Sequence, residues 1–221
     1  MIRVKICGLQ SEKDVEYACE AGADAAGFLV GQKYPSKDFI LPGTARRLAA
    51  FLPVLVTPVL VTHYTDPDQV VELIDLTGIT TVQLHGGITP EELASLKELA
   101  GDDVKFLAAI HVMNDHTVEP DMAAFEELVD GFVLDSCDKE KGKVGGTGLT
   151  HDWRISAKLV QSTPKKVLLA GGLSPENVEE AVKTVHPYGV DANSRLKDPD
   201  GSLDKFLARE FVAKAKGLAL S

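Results

Sequence analysis

The strongest constraint on this chain is a recurrence. Eight times a short apolar, largely β-branched run is followed by a turn and then by a more polar stretch. The runs are Ile2–Ile6, Ala25–Val30, Val54–Val61, Thr80–Leu84, Val104–Ile110, Gly131–Leu134, Lys166–Ala170 and Gly189–Asp191. Most are nearly continuous in apolar residues instead of alternating. That pattern suits strands covered on both faces in a parallel sheet.

The stretches between the runs carry helix starts and stops. Ser11 precedes Val15, Ala18 and Cys19 at helical spacing, and Gly22 follows. Asp66-Pro67 opens Val70–Leu76, Thr89-Pro90 opens Leu93–Leu99, and Ser174-Pro175 opens Val178–Val185. These three starts set a capping residue before a proline at the first helical position. Asp115–Val129 and Thr150–Ser162 read as weaker helices.

Eight strand–helix units with short connections require a parallel sheet, either open or closed. An open dinucleotide-binding sheet carries Gly-x-Gly-x-x-Gly after its first strand. Here that strand ends in Cys7-Gly8-Leu9-Gln10. Eight units in 221 residues fit an α/β fold of the (β/α)8 TIM-barrel type, with one parallel sheet in a single domain over residues 1–221.

Charge and cysteine usage narrow the function. A formal net charge of -10 argues against nucleic acid, which needs a basic stripe. It leaves room for a small phosphorylated substrate, because a few backbone N–H groups can hold a phosphate locally. No apolar run reaches the roughly 20 residues of a membrane span. Cys7, Cys19 and Cys137 do not read as a disulfide framework, so a cytoplasmic, reducing setting is expected. His63, His111, His116, His151 and His186 lack metal-ligand spacing, so no metal is expected.

In such a barrel the active site lies at the C-terminal ends of the strands. The polar residues there are Lys5 and Cys7, Gln83 and His85, Asp135, Gly171 and Gly172, and Asp191 with Asn193 and Ser194. Cys7 and Asp135 stand out. A thiolate whose pKa is lowered by cations can abstract a proton, and a carboxylic acid in an apolar pocket can donate one. Each also has a plainer reading, Cys7 as a packed thiol and Asp135 as a turn carboxylate. His85 is either a substrate contact or a hydrogen-bonded structural residue. Glycines in Gly145–Gly148, Ala170–Leu173 and Gly189–Asp191 suit a phosphate site, since loops after strands seven and eight commonly build one.

The residues also carry a family resemblance. Lys5-Ile6-Cys7-Gly8, Val82-Gln83-Leu84-His85-Gly86, Leu134-Asp135, Gly145-Gly146-Thr147-Gly148, Leu169-Ala170-Gly171-Gly172-Leu173 and Pro187-Tyr188-Gly189-Val190-Asp191 occur in chain order. Together they resemble the N-(5'-phosphoribosyl)anthranilate isomerase family of tryptophan biosynthesis. The resemblance spans essentially the whole chain. It implies a cofactor-free barrel enzyme, monomer or homodimer, that performs an Amadori rearrangement with Asp135 as general acid and Cys7 as general base. The loops after strands seven and eight would hold the phosphate.

The departures from that resemblance gather at the substrate end. Where the family reads Ser-Pro-Arg-Tyr, with the Arg on the anthranilate carboxylate, this chain reads Ser36-Lys37-Asp38-Phe39. Asp38 would repel a carboxylate unless a cation stands beside it, and Lys37 is the candidate replacement. Where the family reads Val-Asp-x-Ser-Ser-Gly-x-Glu, this chain reads Val190-Asp191-Ala192-Asn193-Ser194-Arg195-Leu196-Lys197. Arg195 would either crowd the phosphate or bind it. Two other readings therefore stand beside the first. One is a paralogous isomerase of another phosphorylated sugar derivative. The other is a non-catalytic barrel that binds a phosphorylated ligand.

Overall fold

A computed structural model of the chain describes residues 1–33, 36–113, 117–138, 143–144 and 152–218. Among the described residues eight parallel strands form the barrel, and two short antiparallel strands, Val118–Glu119 and Lys143–Val144, extend its sheet. The barrel strands are β1 (Arg3–Ile6), β2 (Ala25–Leu29), β3 (Thr57–Thr62), β4 (Thr81–Leu84), β5 (Lys105–Met113), β6 (Gly131–Asp138), β7 (Lys166–Leu169) and β8 (Gly189–Ala192). Each pairs in parallel with its sequence neighbour, and β8 pairs in parallel with β1. The sheet is therefore closed, and these strands have no free edge.

Seven α-helices surround it: α1 (Glu12–Ala21), α2 (Pro42–Phe51), α3 (Pro67–Thr77), α4 (Pro90–Ala100), α5 (Trp153–Ser162), α6 (Val178–Val185) and α7 (Lys205–Lys216). Local chemistry bounds them as the sequence suggests. Ser11 and Asp14 form a capping box at α1, and Gly22 ends that helix in the left-handed region. Asp66 caps α3, and Thr89 with Glu92 boxes α4. The sequence signals do not mark α2, whose N-cap Leu41 makes no side-chain hydrogen bond. They also miss α7, although Asp204 caps it.

Two expected elements differ. The helix over Asp115–Val129 is replaced, among the described residues, by a short strand Val118–Glu119 antiparallel to the end of β5 and by a 3-10 turn at Met122–Phe125. Pro120 explains part of this, since it lacks an N–H and disfavours helical backbone in the residue before it. The third strand begins at Thr57, not Val54. Parallel pairing of Ala25 with Thr57 sets that start, and Val54 and Leu55 lie on a turn with 100% and 92% of their surface exposed.

Alternation along the strands sorts the side chains. Val4 and Ile6 point outward into the main core beneath the helices, along with Phe28, Leu60 and Phe132. Cys7 instead packs with Val59 and Val61 in a second, interior cluster flanked by Ala25 and Leu29. Lys5 shares the parity of Cys7 and is 1% exposed. The register then sets Lys5 opposite Asp191 and His111 opposite Asp135. Among the described residues, no helix is long and apolar enough to cross a membrane.

Candidate active site

The inward-facing positions at the C-terminal end of the barrel divide into two halves. On the β8–β1 side, Lys5 Nζ donates to Asp191 Oδ2 at 2.6 Å, and both groups are buried. Burial alone would lower the pKa of Lys5, but the Asp191 carboxylate and Cys7 together hold it above its ordinary value. Burial pushes the Cys7 thiol up to about 11, and the Lys5 charge only partly opposes this. Burial therefore favours the neutral thiol at Cys7, a point the sequence leaves open. The Asp191 carboxylate, paired with Lys5, adds to the effect of burial. Room for Cys7 comes from Gly27 on β2, where a Cβ would lie 2.7 Å from Cys7 Sγ.

On the β3–β6 side burial shifts every titratable group toward its neutral form. Burial raises the pKa of Asp135, an effect that His111 and the Ser136 N–H counter only in part. Ser136 N donates to Asp135 Oδ1 at 2.8 Å. His85 Nε2 lies 3.5 Å from Asp135 Oδ2. That is long for a hydrogen bond. It is not an ion pair either, because burial lowers His85 to about 3. Burial likewise lowers His111 to about 4 and also lowers His63. The three imidazoles stand in a row, with ring centroids 5.5 Å apart for His63 and His85 and 5.2 Å for His85 and His111. Gln83 Nε2 lies 3.4 Å from His85 Nδ1.

Glycine makes the histidine row possible. A Cβ on Gly86 would fall 2.0 Å from the His63 carbonyl oxygen. The Gly in Gln83-Leu84-His85-Gly86 thus lets the β4 loop run against the β3 loop. His63 and His111 were not candidates from the sequence. His111 sits one residue past the apolar run Val104–Ile110, and reading β5 to its full length would have found it. His63 follows β3 directly. Among the described residues no cluster of three or more His, Cys, Asp or Glu side chains is arranged to hold a metal ion.

The other candidates lie in the surrounding loops. Gly171 and Gly172 follow β7 with φ of 86° and 65°, and a Cβ on Gly171 would sit 2.7 Å from Ser136 N. Ser194 opens a 3-10 turn, Ser194–Leu196, whose Leu196 is buried while Ser194 and Arg195 are exposed, with Glu176 near Arg195. Gly189 belongs elsewhere: it starts β8 at the opposite end of the barrel, where a Cβ would meet the Arg3 carbonyl at 2.7 Å. Gly145–Gly148, His116 and His151 lie outside the described residues. Lys37 is exposed, and its backbone carbonyl accepts from Gln10 Nε2 at 2.7 Å.

Asp38 does have a cation beside it, but that cation is not Lys37. Lys197 Nζ donates to Asp38 Oδ1 at 2.8 Å and to the Gly8 carbonyl at 2.6 Å. Asn193 Nδ2 donates to Asp38 Oδ2 at 2.8 Å. The two departures at 38 and 197 are thus partners, and the charge that Asp38 brings is balanced on the spot.

A closed eight-stranded parallel barrel with buried acid, thiol, amine and imidazole groups gathered at the C-terminal ends of its strands defines a (β/α)8-barrel enzyme. The family model of N-(5'-phosphoribosyl)anthranilate (PRA) isomerase matches residues 4–214. N-(5'-phosphoribosyl)anthranilate isomerase 2 of Methanosarcina mazei is 42% identical over 215 residues, covering 97% of this chain and 94% of that protein. N-(5'-phosphoribosyl)anthranilate isomerase of Natronomonas pharaonis is 38% identical over 218 residues, covering 98% of this chain and 99% of that one. The crystal structure of phosphoribosyl anthranilate isomerase from Thermotoga maritima superimposes with a TM-score of 0.84 at 32% identity, covering 99% of this chain and 100% of that one. A second such structure holds reduced 1-(o-carboxyphenylamino)-1-deoxyribulose 5-phosphate and gives a TM-score of 0.80 at 30% identity, covering 99% and 100% of the two chains. The chain belongs to the N-(5'-phosphoribosyl)anthranilate isomerase family, a family of isomerases.

Proposed function

We propose that this protein converts N-(5'-phosphoribosyl)anthranilate into 1-(o-carboxyphenylamino)-1-deoxyribulose 5-phosphate, with Asp135 as general acid and Cys7 as general base. Asp135 gives its proton to the ribose ring oxygen as the bond from that oxygen to C1' breaks. The nitrogen lone pair completes an iminium at C1'. Cys7, as a thiolate that has released its proton to solvent, then takes the proton from C2', and the C–H electrons form the enolamine, which tautomerises to the ketone. No cofactor takes part, and the phosphate is held by the loops after β7 and β8, with Gly171, Gly172, Asn193 and Ser194.

The observation that carries this reading is the contrast between the two groups. The carboxyl that must arrive with a proton is one whose pKa burial raises, as it does for Asp191 too, but Asp135 has no ammonium bound to it and shares the barrel mouth with Cys7. The high pKa of Cys7 is compatible with its role, because the iminium places a positive charge next to C2', and a nearby cation favours the thiolate. Lys5 and Asp191 hold the thiol from below. The balanced charge at Asp38 removes the repulsion that a free anthranilate carboxylate would otherwise meet there, which supports this substrate over another sugar derivative.

Complementation tests the reading. A strain lacking the tryptophan-pathway isomerase should grow without tryptophan when it expresses this protein, and Cys7→Ala or Asp135→Asn should abolish that growth. A folded wild-type protein that neither supports growth nor turns over the substrate in vitro would sink it.

A further inference from the structure

We propose that Lys197 is the cation of the aglycone subsite, donating from its ammonium to the carboxylate on the substrate's aromatic ring. This rests on the isomerase reading above and names the residue that selects its substrate. A carboxylate on a small ligand needs a positive donor at the barrel mouth, and the described cations there differ in how free they are. Lys5 lies at the floor of the mouth, committed to Asp191 and Cys7. Lys33 is exposed and donates to Thr65 Oγ1 at 3.2 Å. Lys37 and Arg195 are exposed side chains on the rim.

Lys197 alone among these is both buried and at loop level. Its side chain is 7% exposed, held by the Gly8 carbonyl and by Asp38. An ammonium has three hydrogens, and these two contacts use two of them. Asp38 has both oxygens occupied, one by Lys197 and one by Asn193, so its charge is turned toward its partners. The pair joins the loops after β1, β2 and β8, and Gly8 directly follows Cys7. In the proposed reaction C2' faces Cys7 and the arylamine sits on the neighbouring C1', so an ortho carboxylate falls close to the Cys7–Gly8 loop. A cation fixed in advance at that point binds without the entropy cost of ordering a free lysine.

Titration calorimetry with two ligands tests this. One is reduced 1-(o-carboxyphenylamino)-1-deoxyribulose 5-phosphate, and the other is its phenylamino counterpart without the carboxyl. Wild type should prefer the first by about 10- to 100-fold, the range of a hydrogen bond to a charged group. In Lys197→Met the preference should fall below about 3-fold, with affinity for the second ligand nearly unchanged. Lys197→Arg should keep most of it. Lys197→Gln, which keeps a donor to Gly8 without the charge, replaces the methionine variant if that one does not fold. An unchanged preference in Lys197→Met overturns the proposal. Equal loss for both ligands also overturns it, because Lys197 would then only prop the Gly8 loop. Turnover measured alongside separates the two claims. A wild type with the preference but no turnover sinks the isomerase reading and leaves Lys197 in place. Turnover with the preference intact in Lys197→Met sinks the Lys197 assignment alone.

Discussion

The two halves of the barrel mouth are buried to similar depth yet meet the cost of burial in opposite ways. On the β8–β1 side the charges are kept and paired, Lys5 with Asp191. On the β3–β6 side burial works against charge: it lowers the pKa of His63, His85 and His111 and raises that of Asp135. A buried ion pair holds geometry but has no proton to spare, whereas a neutral carboxyl does. In the proposed reaction both halves take part, one proton leaving the substrate and another entering it.

The comparison breaks first at its chemical ends. Asp135→Asn keeps the shape of the acid but removes its proton, and kcat should fall by about 10²- to 10⁴-fold with the fold intact by circular dichroism. A loss under tenfold would mean that the neutral half does not supply the proton. Lys5→Met attacks the charged half. It leaves Asp191 buried without its partner and should cost about 3–5 kcal/mol in urea unfolding. Wild-type stability in that variant would show that the pair is not what holds the strands β8 and β1 in register.

A pH titration then separates the halves. The folded pKa values of His85 and His111, about 3 and about 4, lie below the ordinary 6.5. Their contribution to stability is therefore complete above pH 6.5 and is lost as pH falls from there towards 4. The slope should be roughly 1 kcal/mol per pH unit for each histidine, and His111→Asn should flatten it by about half. A slope that His111→Asn leaves unchanged would assign the acid sensitivity elsewhere. The smallest change is Gly27→Ala, which presses a methyl against Cys7 Sγ from β2. It should cost about 1–3 kcal/mol by overpacking and lower kcat while leaving the acid limb of stability as in wild type. A change in that limb would show that the two halves are coupled through the barrel.

Much of this architecture was legible in the sequence because it is local. Eight apolar runs of strand length and the capping signals at Ser11, Asp66 and Thr89 depend on neighbours a few residues apart, and the barrel follows from their count and order. Cys7, Gln83, His85, Asp135 and Asp191 were found because strand ends are where such a fold exposes polar residues inward. The error at Asp115–Val129 arose where a weak helical spacing competed with Pro120 and with pairing to β5. His63 and His111 lie just past the apolar runs that mark their strands, so a reading that stops at the end of each run leaves them out. Only closure of the sheet brings them beside His85.

The sequence by itself determined the strand count, the parity that sends Lys5 and Cys7 inward, and the departures at positions 38 and 197. Tertiary structure alone decided what those departures mean. Read singly, Asp38 is a misplaced charge. In the fold it meets Lys197 from 159 residues away, just as Lys5 meets Asp191 from 186 residues away. Local periodicity is written in the order of residues, but charge compensation is a matter of distance in space, and that distance is set only when β8 closes on β1.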